Sequence, residues 1–174
     1  MRSIWLSMSA KYMVLGVSFG WGRRKGLDVF IDLVKRLDPE EYQIVLIGTD
    51  DSVDKLLPGS IISIHRTNNQ EELAEIYSAA DVLVNPTRED NYPTVNMEAI
   101  ACGTPVITFK TGGSPEMVDG ETGMAIDCED IDALQKAVIK VCTKKPFSDT
   151  NCLVKAKSFD KYMKFQEYVD LYEA

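Results

Sequence analysis

A doubly wound α/β domain, its sheet mainly parallel and covered by helices on both faces, is the fold this sequence predicts. Three observations carry the expectation. Short continuous apolar runs recur along the chain, stretches with helical apolar spacing separate them, and glycine or proline closes most of the runs. A run that is apolar on both faces suits a strand buried on both sides, and alternation with helices implies a parallel sheet. At 174 residues and 45% apolar, the chain fits one domain with a core large enough to be stable.

The elements follow in order. Met13-Val-Leu-Gly-Val17 reads as the first buried strand, and Gly26 to Leu37 as a helix with Leu27, Phe30, Ile31 and Val34 on one face. Gln43 to Ile47 is the second strand, closed by Gly48, and Ile61 to Ile64 the third, after a Pro-Gly turn. Asn69 caps a helix that runs to Ser78. Asp81 to Val84 and Val106 to Phe109 are two further strands on either side of a helix with Pro93 in its first turn and Gly103 at its stop. Met124 to Ile126 adds a sixth strand, followed by a helix from Asp130 to Cys142. Residues 144–157 are polar with weak periodicity and read as a connector. Aromatic residues at 159, 162, 165, 168 and 172 make a helical stripe, expected to pack inward or against a partner.

Composition excludes several roles. A net charge of −8 argues against a general nucleic-acid or polyanion binder. No run approaches the roughly 20 apolar residues that cross a bilayer, and Met1 to Ala10 is too short in its apolar stretch for a secretory signal. The four cysteines show no paired metal spacing and the lone His65 offers no ligand cluster, so no metal is expected. Reduced thiols in a cytoplasm are the simpler account of the cysteines.

Right-handed crossovers bring every strand-to-helix loop to one edge of such a sheet, where ligands bind. Topology alone therefore gathers Ser18 to Gly26, Arg66 to Asn69 and Asn85 to Thr94, joined by Lys110 to Glu116. Gly20-Trp-Gly-Arg-Arg-Lys-Gly26 departs from the dinucleotide fingerprint, with three residues between its last glycines and no acid closing the next strand. It suits a diphosphate cradle with Lys25 at a helix start, or else a flexible turn with solvated bases. In the helix after Pro93, Thr94 and Glu98 lie four apart on one face. That face leads to a helix N-terminus where the N–H groups of Thr94 and Val95 suit a phosphate. A glutamate buried in so apolar a helix needs a hydrogen-bond partner; a solvated Glu98 is the plainer alternative. Near an anion site, its carboxylate suits the hydroxyls of a ribose joined to a diphosphate. Asn91 and Tyr92 suit sugar hydroxyls, or serve only as turn and cap residues.

Seven residues separate Asp90 from Glu98, and Glu98-Ala-Ile-Ala-Cys-Gly-Thr-Pro-Val106 continues the pattern. This resembles the paired-acid signature of retaining glycosyltransferases of the GT-B fold, and its Glu-Asp-Asn start resembles the branch that builds bacterial surface polysaccharides. The resemblance spans Met13 to Cys142. It implies a Rossmann-like donor-binding domain over 13–143, one half of a GT-B fold, with residues 1–12 a leader or remnant and 144–174 a connector and final helix. It also implies transfer of a sugar from a UDP- or GDP-sugar to a glycan acceptor without metal. Asp90 would touch the donor sugar, Glu98 the ribose, and Lys25-Gly26 the donor phosphates. The family commonly has an arginine six residues before that lysine; Phe19 stands there, and Arg23 or Arg24 is the candidate substitute. Arg66 and Thr67 follow the third strand, where the family seats the base; Arg66 can stack on it or sit solvated. Gly112-Gly113 matches a family loop, with Glu116 after it. The acceptor would belong to a further N-terminal domain, so no membrane contact is expected from this part. Two rivals are a GT-B-like sugar-nucleotide epimerase, for which His65 is the only histidine, and a non-catalytic interaction domain of flavodoxin-like shape. The second would need an acidic cluster after the first strand, which Ser18-Phe19-Gly20 does not supply.

Overall fold

The computed structural model describes residues 10–173. Its six strands are β1 (Tyr12–Val17), β2 (Tyr42–Ile47), β3 (Ile62–Ile64), β4 (Val82–Asn85), β5 (Val106–Phe109) and β6 (Gly123–Ile126). All pair in parallel, in the order β3-β2-β1-β4-β5-β6, so the sheet is wholly parallel. Seven helices accompany them: α1 (Leu27–Arg36), α2 (Asp51–Asp54), α3 (Gln70–Ala79), α4 (Thr94–Ala101), α5 (Ile131–Lys144), α6 (Asp149–Ala156) and α7 (Lys161–Glu173).

Side chains alternate across each strand, and the sheet therefore builds two cores. From β1, Val14 joins Leu46, Val84 and Ile107 under Phe30 and Leu33 of α1 and Leu134 and Val138 of α5. Leu15 points the other way, to Val45, Leu83, Ile76, Tyr77, Ala99 and Ile100 under α3 and α4. Gly16 is small for a reason: a Cβ there would lie 2.6 Å from the Phe30 ring, so glycine lets that ring rest on the sheet. Asn69 caps its helix as the sequence suggests, accepting from Glu72 N at 2.8 Å, and Asp130 caps α5, accepting from Ala133 N at 2.9 Å.

The structure corrects or refines these expectations at several points. The connector at 144–157 contains α6, started by Ser148 accepting from Asn151 N and anchored by the fully buried Cys152. Its helical period was masked because that one cysteine carries most of its burial. On α1, Val29 and Leu33 belong to the buried face with Leu27 and Phe30, whereas Ile31 and Val34 pack only at its margin. Of the two courses open to the aromatic stripe, inward packing is taken by Phe159 alone, against the second core, while Tyr162, Phe165, Tyr168 and Tyr172 of α7 are exposed. Residues 1–9 of the expected leader lie outside the described residues, and Tyr12 already belongs to β1. Among the described residues no helix is long and apolar enough to cross a membrane. The four cysteines are free, and burial pushes the thiols of Cys142 and Cys152 up to about 12 and about 11.

Candidate active site at the carboxyl edge of the sheet

The strand order reverses between β1 and β4, so the loops leaving these neighbours part in opposite directions. Between them lies a cleft of about 380 Å³. Ser18, Phe19, Arg24 and Lys25 line it from the β1 side, and Asn85, Asp90, Tyr92, Pro93, Thr94 and Val95 from the β4 side.

Lys25 closes a short 3-10 turn, Arg23–Lys25, and Gly26 then starts α1 with φ of 78°. Only glycine fits that step, because a Cβ would stand 2.5 Å from the Pro86 carbonyl oxygen. The two loops are thereby pressed together, and Arg88 N donates to Arg24 O at 2.9 Å across the seam. Lys25 Nζ meets Asp90 Oδ2 at 2.5 Å, with each side chain about four-fifths shielded. Two residues ahead of Asp90, Arg88 holds Asp28 at 2.8 Å and Glu129 at 2.5 Å. A third loop supports Asp90 from behind. Gly113 N donates to Asn91 O at 2.9 Å, and a Cβ on Gly112 (φ 49°) would fall 1.8 Å from Asp90 O. The Gly112-Gly113 pair is therefore a close backbone approach that fixes the acid loop.

Helix α4 starts without a side-chain cap. Pro93 occupies the N-cap rather than the first turn, and the backbone N–H groups of Thr94 and Val95 come at the end that borders the cleft. Thr94 and Glu98 share a face as expected, but it is the outward one. Asn96, Ala99 and Ile100 are buried, whereas Glu98 is exposed and does not line the cleft; it borders a separate hollow with Leu153, Phe159 and Met163. A step of about 100° per residue puts 98 opposite 96, which is why apolar neighbours in sequence did not bury it. Tyr77 on α3 still holds it, donating to Oε2 at 2.8 Å. Burial first, then the adjacent Glu98 charge, drives the Tyr77 hydroxyl above its ordinary value, so it stays a donor.

The remaining candidates divide. Arg24 lines the cleft, whereas Arg23 does not; its carbonyl receives Arg88 Nη1 instead. Tyr92 lines the cleft and Asn91 is exposed beside it. Arg66 and Thr67 follow β3, the edge strand two places from β1, and neither lines the cleft. Glu116 is exposed in the turn Ser114–Met117. His65 gains neighbours its isolation in sequence concealed: Nε2 lies 2.8 Å from Asp54 and 4.0 Å from Asp51. Two features went unread. Neither Asn85 nor Asn96 was given a role, yet they bond as a buried pair at 2.8 Å. Arg88 was not singled out either, because its partners lie 60 and 41 residues away.

A doubly wound parallel sheet with a cleft and an open helix N-terminus at its reversal point defines a Rossmann-like α/β domain. The chain belongs to the group 1 glycosyl transferases, whose family profile matches residues 11–144. Among curated relatives, the D-inositol 3-phosphate glycosyltransferase of Corynebacterium jeikeium is 43% identical over 74 residues, 40% of this chain and 18% of that protein. Sucrose-phosphate synthase from Thermosynechococcus elongatus superposes with a TM-score of 0.79 at 24% identity, over 95% of this chain and 47% of that one. The Anabaena protein HepE, solved with UDP-glucose, gives 0.77 at 19% identity, over 94% and 49%. These structural likenesses establish the GT-B half-fold. The chain spans about half the length of those solved structures.

Proposed function

We propose that this chain is the donor-binding half of a glycosyltransferase that moves a sugar from a UDP- or GDP-sugar to a glycan acceptor with retention. The observation that carries the reading is the Lys25–Asp90 pair, 2.5 Å apart and set against the uncapped start of α4. One cation, one acid and a row of free N–H groups meet in one cleft, which suits a sugar diphosphate. The entering diphosphate takes Lys25 from Asp90. Lys25, with Arg24 in the place of the family arginine, offsets charge on the departing diphosphate, where the interaction counts most in the transition state. Asp90, released, accepts from a donor-sugar hydroxyl. Glu98, its Oε2 anchored by Tyr77, accepts from the ribose, and Thr94 and Val95 donate to phosphate. These donors do the charge work that a divalent metal does elsewhere, so binding is metal-independent. HepE solved with UDP-glucose and with UDP supports nucleotide-sugar binding in this fold. The acceptor belongs to a second, N-terminal domain, and the setting is the cytoplasm.

Calorimetry with UDP and GDP, with and without EDTA, tests this. Binding of at least one, unchanged by EDTA, is expected; a folded protein that binds neither ends the reading. Residues 1–174 alone are expected to transfer no sugar, since closing two domains around the bond excludes water and aligns the reactants.

A further inference from the structure

Asn85 at the end of β4 and Asn96 in the first turn of α4 form two facing buried amides. Asn85 Nδ2 donates to Asn96 Oδ1 over 2.8 Å, and the residues are 8% and 0% exposed. Asn96 Nδ2, fully buried, has no acceptor among the described residues. An orphaned buried N–H is rarer and more costly than an underused carbonyl. Asn85 is in the opposite position. It lines the cleft beside Lys25 and Arg24, and its Oδ1, unpartnered among the described residues, is not a buried atom.

We infer that the two amides turn over together when a diphosphate enters the cleft. Asn85 Nδ2 then donates to a phosphate oxygen, and Asn96 Nδ2 donates to Asn85 Oδ1. The nitrogen and oxygen ends of an amide are nearly alike in size, so the turn costs little packing. Beside Lys25 and Arg24 the acceptor end of Asn85 is the favoured one to face outward. An anion between them reverses that preference, because only the nitrogen can donate to it. The turned pair keeps its one internal hydrogen bond and gives the orphaned nitrogen an acceptor. Asn85 is thus a binding residue and Asn96 the residue that positions it. The inference rests on the nucleotide-donor reading and adds a diphosphate contact that neither the paired acids nor the Lys-Gly step indicates.

The test is a titration of the whole ¹⁵N-labelled chain with UDP and GDP and, separately, with uridine and guanosine. The side-chain amide signals of Asn85 and Asn96 are assigned through their backbone connectivities and followed throughout. The diphosphates are expected to move both pairs of signals and the nucleosides neither. By calorimetry, Asn85→Ala should lower diphosphate affinity about tenfold, the worth of one hydrogen bond to a charged group, and leave nucleoside affinity within about twofold. Diphosphate binding with both amide signals unmoved overturns the inference and leaves the nucleotide reading standing. Equal losses for nucleoside and diphosphate overturn it too, making Asn85 structural only. If neither diphosphate binds, the nucleotide reading fails and takes the inference with it. Should Asn85→Ala not fold, the wild-type titration decides alone.

Discussion

Arg88 and Lys25 both pair with carboxylates at the carboxyl edge of the sheet, yet they are held differently. Arg88 spreads its guanidinium over two acids, with Nη1 and Nη2 on Asp28 at 2.8 and 2.9 Å and Nε and Nη2 on Glu129 at 2.5 and 2.8 Å. It ties α1 and the start of α5 to the loop after β4. Lys25 makes one contact, to one oxygen of Asp90, inside the cleft. A planar fork engaged on both sides has no donor to lend without losing its geometry. A single ammonium can exchange one oxygen for another. The first arrangement is a brace, and the second, on the reading proposed above, is a clasp.

Substitutions can break that contrast in order of expected effect. Lys25→Ala should cost about 2–3 kcal/mol of UDP or GDP affinity, near a hundredfold, through loss of a charge-assisted contact to phosphate. Its unfolding midpoint should change little, and a large thermal loss with intact binding would reverse the two roles. Arg88→Ala should do the opposite. Its partners are half-exposed and water recovers part of the loss, so about 1–2 kcal/mol of stability is expected in urea unfolding, with affinity nearly kept. Tyr77→Phe removes the single hydroxyl bond to Glu98 and should cost about 1 kcal/mol of stability. If Glu98 holds ribose, that variant also weakens nucleoside binding.

The smallest effects are those of pH, and they run in opposite directions. Burial raises the Asp28 carboxyl, but the bonds and charge of Arg88 outweigh it and leave it below its ordinary value of 3.8. That stabilisation is present above about pH 4 and is lost as pH falls through the lowered value. His65 is raised above 6.5, chiefly by its bond to Asp54, so its contribution is full below 6.5 and is lost as pH rises through the raised value. Unfolding midpoints of wild type, Arg88→Ala and His65→Asn across pH should show the slope above pH 6.5 flatten only in His65→Asn, while the acid-side slope flattens in Arg88→Ala and also in His65→Asn, because His65 helps to lower the Asp54 carboxyl.

The sheet was legible because its strands are apolar on both faces. Val106 to Phe109 was bounded to the residue, and the other five strands within about one. What escaped depended on contacts distant in sequence. Helix α6 is seated by Cys152 alone, so its amphipathic period is faint. The site was legible as far as local chemistry carried it: Lys25, Arg24, Asp90, Tyr92, Thr94 and Val95 do converge. Glu98 takes the solvated position, the plainer of the two its sequence allows, because an apolar sequence neighbourhood is not the same as a buried helix face. The Asn85–Asn96 bond and the two acids on Arg88 join separate elements, and no spacing in the chain announces them.

The contact of Gly26 with Pro86 has a consequence for speed. With 2.5 Å between the Pro86 oxygen and where a Cβ would stand, and with Arg88 N bonded to Arg24 O, the two loops are in direct backbone contact, which opposes their opening. Lys25 and Asp90 therefore separate by turning their side chains, not by opening the loops. Side-chain turns of partly exposed residues take picoseconds to nanoseconds, whereas hinged closures take microseconds or longer. On the nucleotide-donor reading proposed above, capture of the phosphates then needs no opening of these loops, and binding kinetics without a slow phase are expected.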